Sequence, residues 1–136
     1  MKLILSEWLS YNIKRYQIEI DGTCVFDDEA VQISFANGTQ FGNNVVISPQ
    51  SKIDDGLIEL CIVKPFQFYE IPFLLLALAT NRFHLSKRMK IIRCSEATIL
   101  SKNAMKHLDG EPKDLSDCLQ LKVLPKSINI ISKKLV

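Results

Sequence analysis

The sequence predicts a mainly β domain: a β-sandwich-like antiparallel fold carrying one or two helices. Three observations lead there. Several short runs alternate apolar with polar residues, the period at which a strand shows one face to a core. Four of the five glycines follow Asp or Asn, in Asp21-Gly22, Asn37-Gly38, Asp55-Gly56 and Asp109-Gly110, pairs that tolerate the positive φ of two-residue hairpin turns. One long apolar run, Phe73-Leu74-Leu75-Leu76-Ala77-Leu78-Ala79, interrupts the strands. Short strands joined by hairpin signals around one helix suggest a sandwich or barrel rather than a parallel α/β sheet.

Taken in order, Leu3, Leu5, Trp8, Leu9 and Ile13 recur at helical spacing, which predicts an amphipathic helix over 3–14 with Trp8 on its core face. Tyr16, Ile18 and Ile20 then alternate with Gln17, Glu19 and Asp21, and Val31, Ile33 and Phe35 with Gln32 and Ser34. Both runs read as half-buried strands, and Asp21-Gly22 as a plain surface hairpin. Further strands are expected at 45–48, 57–63, 90–94, 97–100, 104–108, 119–124 and 128–131. The apolar run falls well short of the roughly 20 residues of a membrane span. It is therefore placed on a buried helix over 69–80, with an acyl-chain pocket or a bilayer contact as the functional alternative.

A chain of 136 residues, 47% of them hydrophobic, suits one domain, 1–136, with an ordinary core. A net charge of +2 is too small to argue for nucleic acid. Lys and Arg are denser from Arg82 to Lys134, a mildly basic face suited to acidic ligands or anionic lipid headgroups. Cys24, Cys61, Cys94 and Cys118 are far apart, without zinc-finger spacing. Buried free thiols at Cys61, Cys94 and Cys118 are expected, in a reducing cytoplasm. The first eight residues lack the apolar stretch and cleavage site of a signal peptide.

Two acidic turns are candidate sites. In Asp54-Asp55-Gly56-Leu57 a sharp turn can offer a carboxylate and nearby carbonyls to magnesium, which prefers oxygen ligands; alone, the same turn reads as a solvated hairpin. In His107-Leu108-Asp109-Gly110-Glu111-Pro112 either carboxylate can serve as general base on a hydroxyl that attacks a phosphoryl group. His107 reads as a structural histidine, and His84, near Lys87 and Arg88, as part of a basic patch.

These turns lie in an ordered set: Phe35 to Asn44, Ile47-Ser48-Pro49, Asp55-Gly56-Leu57-Ile58-Glu59-Leu60, Asp109-Gly110-Glu111 and Val123-Leu124-Pro125. The set resembles the C-terminal domain of bacterial lipid kinases in the diacylglycerol kinase and sphingosine kinase superfamily, over nearly the whole chain. The resemblance implies the C-terminal domain of the diacylglycerol kinase/NAD kinase-like fold, closing over a cleft of a separate nucleotide-binding domain. It implies ATP as co-substrate and Mg2+ held by the Asp55 carboxylate with the carbonyls of Lys52 and Leu57. It also implies a catalytic base in the Asp-Gly-Glu segment, Glu111 first and Asp109 as rival, acting on a lipid such as diacylglycerol.

The family's Gly-Gly-Asp-Gly-Thr phosphate loop is missing. Asp21-Gly22-Thr23 matches its last three letters, but Glu19 and Ile20 stand where glycines are needed. The chain thus reads as half an enzyme whose N-terminal nucleotide-binding domain is absent: a domain produced alone, a truncated gene product, or one chain of a two-chain kinase. Met1 directly before a family-like helix favours the first. Such a chain is expected neither to bind ATP nor to phosphorylate lipid alone, to expose an open wall carrying Asn37, Asp55 and Glu111, and to self-associate. A cytoplasmic location with peripheral contact at the inner membrane surface goes with that reading. The alternative from another class is a non-catalytic β-sandwich module for lipid binding or regulation.

Overall fold

The computed structural model describes residues 13–38, 40–41, 45–46, 51–52, 54–102, 106–108, 111–114 and 116–127. The helix expected at 3–14 lies outside them except at its end, where Lys14 already opens a strand. Trp8, Asp109 and the strand expected at 128–131 also lie outside the described residues.

The strands, in chain order, are β1 (Lys14–Ile20), β2 (Thr23–Ala30), β3 (Gln32–Ala36), β4 (Gln40–Phe41), β5 (Val45–Val46), β6 (Ile58–Val63), β7 (Met89–Cys94), β8 (Glu96–Leu100), β9 (Lys106–Leu108), β10 (Glu111–Lys113) and β11 (Cys118–Lys122). Every described pairing is antiparallel. One sheet has the order β11-β8-β1-β2 and a second the order β3-β6-β7, with β4-β5 and β9-β10 as separate ribbons. The sheets face each other as the sequence pattern requires. Ile18, Phe26, Ala97 and Ile99 of the first pack against Leu60, Ile62 and Cys94 of the second, none more than 7% exposed. This is the expected mainly antiparallel sandwich.

The β1–β2 turn is the hairpin expected at Asp21-Gly22. Both residues have left-handed φ, 51° and 73°, as a type I′ turn demands. Strand β2 itself goes beyond the sequence expectation, because Asp27-Asp28-Glu29 lies within it and acidic residues are poor strand formers. It forms because it is an edge strand. The three carboxylates stay in water, Arg15 Nε donates to Asp27 Oδ1 at 2.9 Å, and Phe26 and Ala30 turn inward. Charges along an edge also discourage pairing with other chains. Asn37-Gly38, by contrast, joins β3 to β4, strands of different sheets, and so is a bend and not a hairpin.

The long apolar run forms a helix, α1 (Ile71–Ala79), entered through a 3-10 turn at Phe68–Glu70. The expectation that it is buried is corrected. Leu74 is its only buried residue, packed with Val31, Val63 and Phe83 in a satellite cluster, while Phe73 is 73% and Leu76 62% exposed. A sandwich whose two inner faces already cover each other leaves a nine-residue helix only one side to bury. No helix among the described residues is long and apolar enough to cross a membrane.

Both ends of α1 are fixed. At its entry the Gln67 N–H donates to Glu70 Oε2 at 2.7 Å, and Arg88 grips the same carboxylate with Nε at 2.9 Å and Nη2 at 2.8 Å. At its exit the Asn81 N–H donates to the Leu78 carbonyl at 3.1 Å and the Arg82 N–H to the Ala77 carbonyl at 2.7 Å, the Schellman pattern. Asn81 holds the left-handed position, φ 55°. Asn81→Val is therefore expected to cost roughly 1–2 kcal/mol and Asn81→Gly little or nothing, both read by urea denaturation. Equal losses from the two would show that backbone handedness is not what holds this turn.

All four cysteines are free thiols. Cys61 and Cys94 are buried as expected, but Cys118 is exposed because it opens the outermost strand of its sheet. Burial pushes the Cys61 thiol up to about 12, with the Glu59 carboxylate adding to the shift. Burial also raises Cys94, with Asp21 adding. The thiolate is the reactive form. A thiol-reagent titration of the native chain should thus read Cys24 and Cys118 promptly and the other two only after denaturation; prompt reaction of all four would contradict the buried assignment.

Candidate functional site

The Asp54–Leu57 turn enters β6 at one end of the second sheet. Gly56 is required there: its φ is 72°, and a Cβ would meet Pro125 Cγ at 3.3 Å, so the turn is packed against the chain leaving β11. Asp55 Oδ1 accepts the Leu57 N–H at 3.0 Å, an Asx turn that fixes the carboxylate by its own backbone. Asp55 Oδ2 accepts from Arg93 Nη2. Arg93 Nε in turn lies 3.2 Å from Glu59 Oε1.

Glu59 is the unexpected member. It is 2% exposed, and neither carboxylate oxygen has a hydrogen bond of good geometry, so the 3.2 Å approach of Arg93 is an ion pair without alignment. Burial raises its pKa, Arg93 opposes the rise, and the Asp55 charge adds to it. The β6–β7 register sets Glu59 directly opposite Arg93, and the β3–β6 register sets Ala36 on its other side. One row across the sheet, Ala36-Glu59-Arg93, therefore underlies the acidic turn. Neither Glu59 nor Arg93 was singled out as a site residue from sequence. The available signal was a lone carboxylate in the otherwise apolar strand Ile58-Glu59-Leu60-Cys61-Ile62-Val63, but its partner depends on a register visible only in the fold.

The same register brings Asn37, one residue beyond Ala36, to the end of the sheet that carries Asp55. Glu111 is placed separately. It opens β10, paired with Leu108 across the β9–β10 ribbon, and its side chain is 77% exposed and 3.5 Å from Lys113 Nζ. That ribbon departs from the end of sheet one where Leu100 pairs with Cys118, and Lys106 Nζ stands 4.0 Å from Asp117 there. The acidic turn packs beyond the other end of β11, on Pro125. No hydrogen bond or ion pair among the described residues joins Glu111 to Asp55. Nor do three His, Cys, Asp or Glu side chains converge among them.

A concavity of about 400 Å3 opens beside α1 between Phe73, Leu74 and Ala77 on one side and Arg82, Leu85 and Lys87 on the other. Arg88 and Gln67 hold the Glu70 carboxyl below its usual range at the groove's edge. His84, expected in a basic patch here, has a buried Nδ1 with no hydrogen-bond partner.

Comparison with known proteins agrees with this architecture. The family model described as the YegS C-terminal NAD kinase beta sandwich-like domain matches residues 1–132. No curated protein matches the chain. A crystal structure from Bacillus anthracis str. Sterne, provisionally assigned as a diacylglycerol kinase, aligns with 90% of this chain and 43% of its own at 22% identity and TM-score 0.67. A second structure with that assignment and organism aligns over 89% and 41% at 24% identity and TM-score 0.67. A third, described as a diacylglycerol kinase of the same organism, aligns over 90% and 42% at 20% identity and TM-score 0.61. At such identities the likeness establishes the fold, and this chain spans about two fifths of the length of those proteins. With nearly its whole length matched and a two-sheet antiparallel sandwich to go with the match, the chain belongs to the family of YegS C-terminal NAD kinase beta sandwich-like domains.

Proposed function

We propose that this chain is the lipid-substrate and catalytic-base domain of an ATP-dependent lipid kinase, acting on the hydroxyl of diacylglycerol or a related lipid. The observation that carries the reading is the built acidic turn: Asp55 is fixed by its own Asx turn and by Arg93, over a buried Glu59, in a domain of a family whose fold recurs in proteins assigned as diacylglycerol kinases. Phosphoryl transfer needs little covalent chemistry from a protein. It needs positioning, neutralisation of charge on the phosphates and a base for the attacking hydroxyl.

In this proposal Glu111, with Asp109 as rival, takes the lipid hydroxyl proton. The Asp55 carboxylate and the Lys52 and Leu57 carbonyls are the groups that would hold Mg2+, which would supply charge neutralisation for phosphoryl transfer when bound. The donor set fits a hard cation, being all oxygen. Arg93 already compensates Asp55 on Oδ2, so it would share or yield that oxygen to a cation, and its other ion-pair partner, Glu59, lies 3.2 Å away.

The test is calorimetric. Titrating Mg2+ into the chain joined to a nucleotide-binding domain should give binding that Asp55→Asn weakens about tenfold or more, with the unfolding free energy changed by no more than about 0.5 kcal/mol because the turn is at the surface. Equal Mg2+ affinity in both proteins would remove Asp55 from the site.

A further inference from the structure

Helix α1 is apolar on every side, with no charged or amide side chain from Ile71 to Ala79. Such a helix belongs inside a protein or in lipid. Here one side covers the satellite core and the rest faces water: Phe73 and Leu76 on the helix, and Phe68, Tyr69 and Leu85 beside it, are each at least 62% exposed. Nine residues rise only about 14 Å, so the helix can lie in an interface but not span one.

Charge decides among the possible occupants. Between Lys64 and Lys90 the chain has five cations, Lys64, Arg82, Lys87, Arg88 and Lys90, against the single carboxylate Glu70, although its whole net charge is only +2. Glu70 is already gripped by Arg88. Arg82 and Lys87 are exposed, have no acidic partner among the described residues, and stand at the groove beside Phe73 and Leu85. A second copy of this chain docked here by two-fold symmetry would set one basic rim against another. An anionic bilayer satisfies both halves of the surface, taking the apolar side chains below its headgroups and offering phosphates to the cations.

We propose that α1 and its flanking turns form a peripheral docking surface for anionic lipid bilayers, with Phe68, Phe73, Leu76 and Leu85 entering the interface and Arg82 and Lys87 binding lipid phosphates. The clamps at both ends of α1, Glu70–Arg88 and the Asn81 turn, hold the apolar side chains outward before contact, which lowers the ordering cost of docking. Peripheral membrane contact accords with the kinase reading, but the test of this surface is independent of it, since it needs neither Asp55 nor Glu111.

Co-sedimentation of the full 136-residue chain with vesicles tests it without any catalytic readout. The chain should bind phosphatidylcholine vesicles containing phosphatidylglycerol, bind pure phosphatidylcholine far less, and release as salt rises. Phe73→Ser and Leu76→Ser should each weaken binding about tenfold, and Arg82→Gln and Lys87→Gln about fivefold each on anionic vesicles only. All four side chains are exposed, so folding is preserved, as circular dichroism would verify. Absence of vesicle binding overturns the proposal. So does binding that ignores lipid charge and the Arg82 and Lys87 substitutions. Sedimentation showing a dimer that Phe73→Ser abolishes, with no affinity for vesicles, would assign the surface to a second copy instead.

Discussion

Glu111→Gln, in the complete two-domain enzyme that the kinase reading requires, is expected to lower kcat by roughly 10²- to 10⁴-fold while leaving ATP affinity nearly unchanged. A general base acts in the transition state, so its loss appears in kcat and not in ground-state binding of the nucleotide. The fold should not register the change. Glu111 is 77% exposed, and its only described ion pair, with Lys113 at 3.5 Å, is of the solvent-screened kind that contributes little. Steady-state kinetics together with an ATP titration measure both quantities. If Asp109→Asn gives the kinetic loss and Glu111→Gln does not, the base is Asp109; if neither does, the Asp-Gly-Glu segment is not the catalytic one.

The separate placement of Glu111 gives that experiment its weight. The β9–β10 ribbon leaves from the Leu100–Cys118 end of its sheet, whereas the Asp55 turn packs on Pro125 beyond the other end of β11. A base and a cation site have to act on one phosphoryl group although their elements attach at opposite ends of β11, so the kinetic loss tests whether Glu111 serves the same site as Asp55.

What could be read in the sequence divides along a physical line. Strands with one buried face announced themselves: Tyr16, Ile18 and Ile20 gave β1, and Val31, Ile33 and Phe35 gave β3 within a residue or so. The Asp21-Gly22 turn followed from backbone chemistry alone. Strand β2 escaped because its edge position, and not its composition, lets Asp27, Asp28 and Glu29 sit in a sheet. The exposure of α1 escaped because periodicity reports which residues share a face and not what covers it. An all-apolar helix reads as buried until its surroundings are known. Asp55 was legible, being held by local turn chemistry, while the Glu59–Arg93 pair beneath it joins residues 34 apart in sequence and depends on the β6–β7 register.

That pair sets the second large effect. Arg93→Ala should destabilise the domain by about 3 kcal/mol, the low end for losing one partner of a buried pair because the Arg93 side chain is itself 40% exposed. The cost arises at Glu59, left as an uncompensated carboxylate at 2% exposure. Glu59→Gln in the same chain should therefore recover much of the loss, a coupling that a double-mutant cycle measures directly. Additive losses would mean that Arg93 stabilises through Asp55 instead.

The pH dependence has a definite sign. Burial raises the pKa of Glu59 above its unfolded value. The folded state thus holds a proton that the unfolded state has released, and the stability tied to Glu59 is fully present below the usual carboxylate pKa of about 4.3 and lost as pH rises through the folded value. Glu70 works oppositely, because Arg88 and Gln67 lower its pKa, so its contribution is lost as pH falls through that lowered value. Comparing wild type with Glu59→Gln cancels Glu70 and every other group that does not interact with Glu59, which leaves Glu59 with its neighbours Asp55, Arg93 and Cys61. The difference should move in favour of Gln as pH rises from about 4 toward neutrality. With Arg93→Ala in both chains it should move further and over a wider span, because the cation that restrains the Glu59 pKa is gone. A difference independent of pH would show that Glu59 titrates alike in the folded and unfolded chain, and that its burial is not what Arg93 offsets.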